Sequence, residues 1–461
     1  MKKVLVAVSS AWLLMAPMVF AESSETSETL TATSLPLDRI YYPRDQARAV
    51  VVLLSGEEGW STAETSIAGT LSDKGVVTVG VDLPAYYRAL ALEERSCLYL
   101  VSDIERISKQ LHRLAAIETY RPPVVAGLGE GATLALAIAA QTPVSTISAT
   151  IAVDPGSVVP LENPLCTPAP KTPSSDGIAY GLTKGPLPDP VTIALTHAAS
   201  AVGRRHAARL QASHPDVAVV QAKGSPAAVL SDALNAVSAS LAGANVALDL
   251  PLVELPADAG HDVFAIIYSG DGGWRDIDRK LGFFLQQAGV PVVGVDSLRY
   301  FWSEKTPQQT ATDLTAIIKA YRKRYGVSQV ALVGYSFGAD ILPAAFAKLE
   351  DDIRDDVKLV SLLALSRSAD FEIAVTGWLG MSGEGKYGDP VDDLVKAMPA
   401  GKLQCVYGVA ETESGCLALG TLERQGAEII QRPGGHHFDG KYELIADHIL
   451  DRLRQRVASN P

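Results

Sequence analysis

The residues best suited to chemistry form the pentapeptide Gly334-Tyr335-Ser336-Phe337-Gly338, which directly follows the apolar run Gln329–Val333. A serine on a sharp turn between a strand and a helix is held exposed, and flanking glycines let the two elements approach closely. Its hydroxyl attacks a carbonyl only when a positioned base removes the proton, so a histidine and an acid to orient it are required. Two of the eight histidines, His436 and His437, stand together in a Gly-rich loop before the last amphipathic stretch. His436 is preferred because a single residue separates it from the aromatic Phe438; His437 is the alternate. The acid is sought in the preceding loop, "GVAETESGC", where Glu411 stands three residues after Gly408 and Glu413 competes. Acyl transfer also needs donors for the developing oxyanion. Phe337 N–H is one, and the main chain of Asp271 or Gly272 in "SGDGGW" supplies the other. Each feature has a structural reading beside the chemical one: a plain tight turn, a surface histidine pair, a solvated glutamate. No further cluster with ligand spacing accompanies the histidines, so neither metal nor cofactor is expected.

Such a turn needs a parallel sheet behind it, and the chain offers two. "AVVVLLSGEEGW" (49–60) matches "VFAIIYSGDGGW" (263–274), "LSDKGVVTVGVDLPAYY" (71–87) matches "LQQAGVPVVGVDSLRYF" (285–301), and "VVAGLGEGATLALA" (124–137) matches "ALVGYSFGADILPA" (331–344). Three matches in one order indicate a tandem duplication. Each copy alternates short apolar runs with longer amphipathic stretches, the pattern of an α/β fold with a mostly parallel sheet covered by helices. In the second copy strands are expected at 263–269, 290–297, 329–336, 357–366, 402–408 and 427–433, and a helix over 306–326 with Pro307 near its start and Gly326 at its stop. The matching helix of the first copy is expected to begin at a Ser102 cap. Between its fourth and fifth strands each copy carries a longer insertion; that of the second copy, 366–398, is expected to lie over the sheet edge as a cap.

The first copy lacks the chemistry. Gly129 stands where Ser336 stands, "VVQAKGSPA" replaces "IIQRPGGHH", and the acid loop becomes "IALTHAAS", whose one candidate is His197. The chain therefore divides into a signal segment 1–21, a Ser/Thr/Glu-rich tether 22–36, a degenerate domain 37–245 and a catalytic domain 246–461. The signal reading rests on Lys2 and Lys3, the apolar run after them and small residues at Val19-Phe20-Ala21, and it implies export to the periplasm. In an oxidising compartment the four cysteines pair, Cys405 with Cys416 and Cys97 with Cys166. The formal charge of −12 argues against nucleic acid as a partner.

The combination "YSGDGGW", "VGVDSLRYFW", "VGYSFGAD" and "PGGHHFDG", following a degenerate copy and an export signal, resembles the bacterial virulence proteins of the AcvB and VirJ family. That resemblance implies two tandem α/β-hydrolase-like domains and a periplasmic serine hydrolase of aminoacylated phosphatidylglycerol, acting at the membrane surface and linked to type IV secretion. Its serine falls on Ser336 and its histidine in the His436–His437 pair, while the acid loop matches less cleanly. An aminoacyl ester carries an ammonium beside its carbonyl, so Asp271, Glu304 and Asp340 are candidates to hold it, and Tyr300, Phe301, Trp302 and Trp378 to meet the lipid portion. A non-catalytic scaffold for secretion-system proteins is the competing expectation.

Overall fold

The computed structural model describes residues 34–242, 250–373 and 385–458, together with Leu30 and Leu248. The signal segment 1–21, most of the tether, and Trp378 with the middle of the second insertion lie outside the described residues.

The apolar runs become strands buried on both faces, as expected where helices cover both sides of a parallel sheet. The first sheet comprises β1 (Ile40–Tyr41), β2 (Ala49–Leu54), β3 (Val76–Val81), β4 (Val124–Leu128), β5 (Ala149–Val153), β8 (Val191–Leu195) and β9 (Ala218–Gln221). A separate hairpin, β6 (Lys171–Ser174) and β7 (Gly177–Tyr180), sits in the Pro-rich insertion before β8. The second sheet comprises β10 (Leu252–Leu255), β11 (Val263–Tyr268), β12 (Val292–Val295), β13 (Gln329–Tyr335), β14 (Val357–Leu363), β15 (Leu403–Gly408) and β16 (Glu428–Arg432). Their orders, β1-β3-β2-β4-β5-β8-β9 and β10-β12-β11-β13-β14-β15-β16, are the same topology drawn twice. Within these two sheets all pairings are parallel except those of β1 and β10, antiparallel edge strands that the sequence patterning did not reveal.

The repetition extends to single atoms. Trp60 and Trp274 each lie against a strand glycine, and a Cβ on Gly80 or Gly294 would come within 2.5 or 2.3 Å of the ring. Ser55 Oγ accepts the Leu83 N–H at 2.9 Å, as Ser269 Oγ accepts that of Ser297 at 2.9 Å. The helix Pro307–Tyr325 forms with the expected ends: Thr306 and Gln309 make a capping box, and Gly326 takes φ 68°. Its counterpart Val101–Leu114 does not start at Ser102, whose hydroxyl donates to Tyr99 O at 2.8 Å inside the first turn.

The two copies pack together. Trp302 is 1% exposed and donates its indole N–H to Ile117 O at 2.9 Å, with the Arg113 guanidinium 3.9 Å from its ring. Tyr120, a residue of the first copy, belongs to the core that also holds Tyr300, Phe301 and Trp302. Both disulfides form, Cys97–Cys166 and Cys405–Cys416. Among the described residues no helix is long and apolar enough to cross a membrane.

Candidate active site

Ser336 is the single residue between β13 and the helix Phe337–Ala347, with φ 51° and ψ −120°, a conformation that costs a non-glycine residue roughly 1–3 kcal/mol and needs its surroundings to hold it. The glycines on either side are required by contact: a Cβ on Gly334 would sit 2.4 Å from Gly338 O, and one on Gly338 would sit 2.2 Å from Tyr268 O. The strand end, the helix start and β11 are thereby pressed together, and Ser336 is left partly exposed.

His436 reaches this serine from the loop after β16. Its Nε2 lies 2.8 Å from Ser336 Oγ and its Nδ1 lies 2.9 Å from Glu411 Oε1, so the three side chains form one hydrogen-bonded chain. Glu411 is fixed in turn, its Oε2 accepting the Gly408 N–H at 2.8 Å. Gly408 lets the acid and histidine loops meet, since a Cβ there would fall 2.2 Å from Gly435 O. The Cys405–Cys416 bridge closes the acid loop, and an Arg432–Asp439 ion pair at 3.0 Å braces the histidine loop.

The alternates stand apart from this chain. His437 Nδ1 lies 3.0 Å from the Tyr335 hydroxyl, and Glu413 is exposed. Tyr335 went unnoticed in the sequence because it fills a variable place of the pentapeptide; its hydroxyl also donates to His436 O at 3.2 Å and so ties the histidine loop to the elbow.

The electrostatics suit a proton shuttle. The hydrogen bond that His436 donates to Glu411 raises the histidine pKa against the opposing effect of burial, and the charges of Glu411, Asp340 and Asp271 add to the rise. Burial works to raise the Glu411 pKa, but the bonds from His436 and Gly408 N–H outweigh it and the carboxyl is held below its ordinary value. Such a pair keeps an acceptor beside Nδ1 and leaves Nε2 to exchange a proton with the serine.

Facing the elbow is the loop Ser269–Trp274. A Cβ on Gly270 would lie 3.7 Å from Ser336 Cβ, which places this loop beside the hydroxyl. Within it Gly273 donates to Gly270 O at 3.1 Å, and a Cβ on Gly273 would lie 2.9 Å from the buried Asp296 carboxyl, so the end of the loop is held against the fold. Asp271 and Gly272 are the two central residues of this turn, Asp271 exposed and Gly272 half-buried. Phe337 occupies the first position of the helix after Ser336, where N–H groups have no intrahelical partner.

Several expected ligand contacts do not form. Tyr300 is 5% exposed with its hydroxyl on Asp313 at 2.5 Å, and Trp302 is buried against the first copy; both are packing residues and cannot line a substrate cleft. Phe301 is fully buried as well. Glu304 is paired with Lys386 and accepts from the Tyr387 hydroxyl at 2.9 Å. Asp340 stays near the site, where it acts on His436, but one oxygen accepts the Ser366 N–H at 2.8 Å and anchors the turn after β14. Burial pushes its pKa up to about 7.

The first copy retains the elbow without the chain. Gly129 takes φ 54°, and a Cβ on Gly131 would lie 2.2 Å from Ser55 O, as at Gly338. Over it opens a cavity of about 610 Å³ that includes Glu58, Glu130, Asp154 and Ser200 in its lining.

Residues 262–457 match the model of a family described as bacterial virulence protein (VirJ). Among solved structures the chain is similar to Est1E from Butyrivibrio proteoclasticus, with 16% identity over 45% of this chain and 93% of that one and a TM-score of 0.33. It is also similar to proline iminopeptidase from Mycobacterium smegmatis, with 11% identity over 46% of this chain and 96% of that one and a TM-score of 0.34. Curated protein sequences give no match.

Proposed function

We propose that the second copy is a serine hydrolase that cleaves the carboxylic ester of an aminoacylated phospholipid, aminoacyl-phosphatidylglycerol, at the periplasmic membrane surface. The observation that carries the reading is the chain Ser336–His436–Glu411 set on a strained elbow, at 2.8 and 2.9 Å. His436 Nε2 takes the Ser336 proton as Oγ attacks the ester carbonyl. The tetrahedral oxyanion is met by Phe337 N–H and by the main chain of Asp271 and Gly272, and His436 then protonates the departing glycerol oxygen. Water, deprotonated by the same histidine, hydrolyses the aminoacyl-enzyme and frees the amino acid.

The substrate class is supported by charge. Asp271 is exposed on the loop facing Ser336 and puts a carboxylate beside the place the substrate ammonium would take. Export is supported by the two disulfides, which persist in oxidising compartments. A link to virulence follows the printed description of the matching family. The test is to incubate native protein and Ser336→Ala with vesicles containing lysyl- or alanyl-phosphatidylglycerol and follow free amino acid. Release by the native protein alone supports the reading. No release from either lipid, with no covalent capture of a fluorophosphonate, replaces it with the non-catalytic scaffold.

A further inference from the structure

On the hydrolase reading, we infer that the first copy completes the second copy's active site: its Glu105, acting through Arg275, positions the loop that supplies the oxyanion donors. Arg275 directly follows that loop and precedes the helix Asp276–Gln287. Its guanidinium lies against Gly272, where an added Cβ would stand 2.8 Å from both Nε and Nη2. The same guanidinium reaches across the interface, Nη1 donating to Glu105 Oε1 and Oε2 at 3.2 and 3.3 Å and to Thr146 Oγ1 at 3.3 Å. Ser145 Oγ donates to Trp274 O at 3.0 Å, a second tie from the first copy to the end of the loop.

The duplication shows that Arg275 does not serve its own helix. At the matching place the first copy has Ser61, a good cap, which accepts the Ala63 N–H and forms a capping box with Glu64. Arg275 makes no side-chain cap, and a cation at a helix N-terminus is opposed by the helix dipole. What it gains lies in the other copy. The Glu105 side chain is 17% exposed and also binds Lys109 at 2.9 Å, itself 6% exposed. Lys109 and Arg275 outweigh the effect of burial on Glu105 and keep it ionised. Glu105 touches no reacting atom; it is a positioning residue.

The experiment uses the full chain and the activated ester p-nitrophenyl butyrate, so that its outcome does not depend on the lipid. Glu105→Gln and Arg275→Ser should each lower kcat by about 10- to 100-fold, on the scale of a displaced oxyanion donor, with KM changed less than about threefold. Labelling of Ser336 by a fluorophosphonate should slow in parallel. Arg275→Lys, which keeps a cation facing Glu105, should recover about tenfold over Arg275→Ser. Arg113→Ala, which loosens the interface beside Trp302 and away from the loop, should lower the unfolding temperature and keep kcat within about twofold. If Glu105→Gln and Arg275→Ser melt lower yet keep native kcat, or if Arg113→Ala loses as much, the contact is merely structural and the inference is wrong. A native protein inert toward both ester and probe would instead remove the hydrolase reading, and the clamp's role with it.

Discussion

Gly129 and Ser336 occupy the same turn of the same topology, with φ of 54° and 51°, and behind each a pair of glycines presses strand against helix. The tryptophan seated on a strand glycine and the serine that accepts an N–H from the next crossover are likewise present in both copies. What differs is three side chains and the loops that carry them. An elbow is thus a packing solution that persists without a nucleophile, and chemistry enters only when a base and an acid are delivered from the ends of two other strands. The comparison also assigns the copies different burdens: the first caps its own helix with Ser61, while the second gives that position to an arginine held from outside.

The difference can be broken most severely by removing the base. His436→Ala should lower kcat by about 10³-fold or more, whereas His437→Ala, which loses a bond to Tyr335, should cost less than about tenfold. Next, Gly129→Ser in a Ser336→Ala background should restore no ester hydrolysis, because among the described residues lining the cavity over that turn there is no histidine. Any serine-dependent turnover there would contradict the assignment of the first copy as inert. The disulfides should separate in the same way. Cys405→Ser should loosen the acid loop and lower both kcat and stability, by about 3 kcal/mol for so short a loop, while Cys97→Ser should cost about 4 kcal/mol of stability and leave kcat near native.

The smallest effect is a shift in pH dependence. His436 must be neutral to accept the serine proton, and Glu411 raises its pKa, so kcat/KM should fall on the acid side with a midpoint above the ordinary histidine value. Glu411→Gln should move that midpoint down as well as slow the reaction. Asp340, whose pKa is pushed up to about 7, titrates in the same region, and Asp340→Asn separates the two.

The six parallel strands of the second sheet and the chain from Ser336 to Glu411 were legible because each rests on a local signal: an apolar run, a glycine pair, a histidine beside an aromatic. The internal repeat showed that the fold is present twice. The edge strands β1 and β10 were not legible, since two and four half-buried residues are too few to show a period. Tyr300 and Trp302 were misread for a related reason. An aromatic near an active-site loop looks the same in sequence whether it faces a cleft or, as Trp302 does, the partner copy; only the packing decides. Arg275 and Glu105 were missed because their pairing spans 170 residues, and neither position is unusual by itself.

The central claim is that the two elbows differ in chemistry, and one measurement addresses it directly. Native protein treated with a fluorophosphonate, digested and analysed by mass spectrometry should carry the phosphonyl group on the peptide containing Ser336 and on no peptide of the first copy, and Ser336→Ala should carry none. An unmodified Ser336 in folded protein, or equal modification of serines in the first copy, would contradict it.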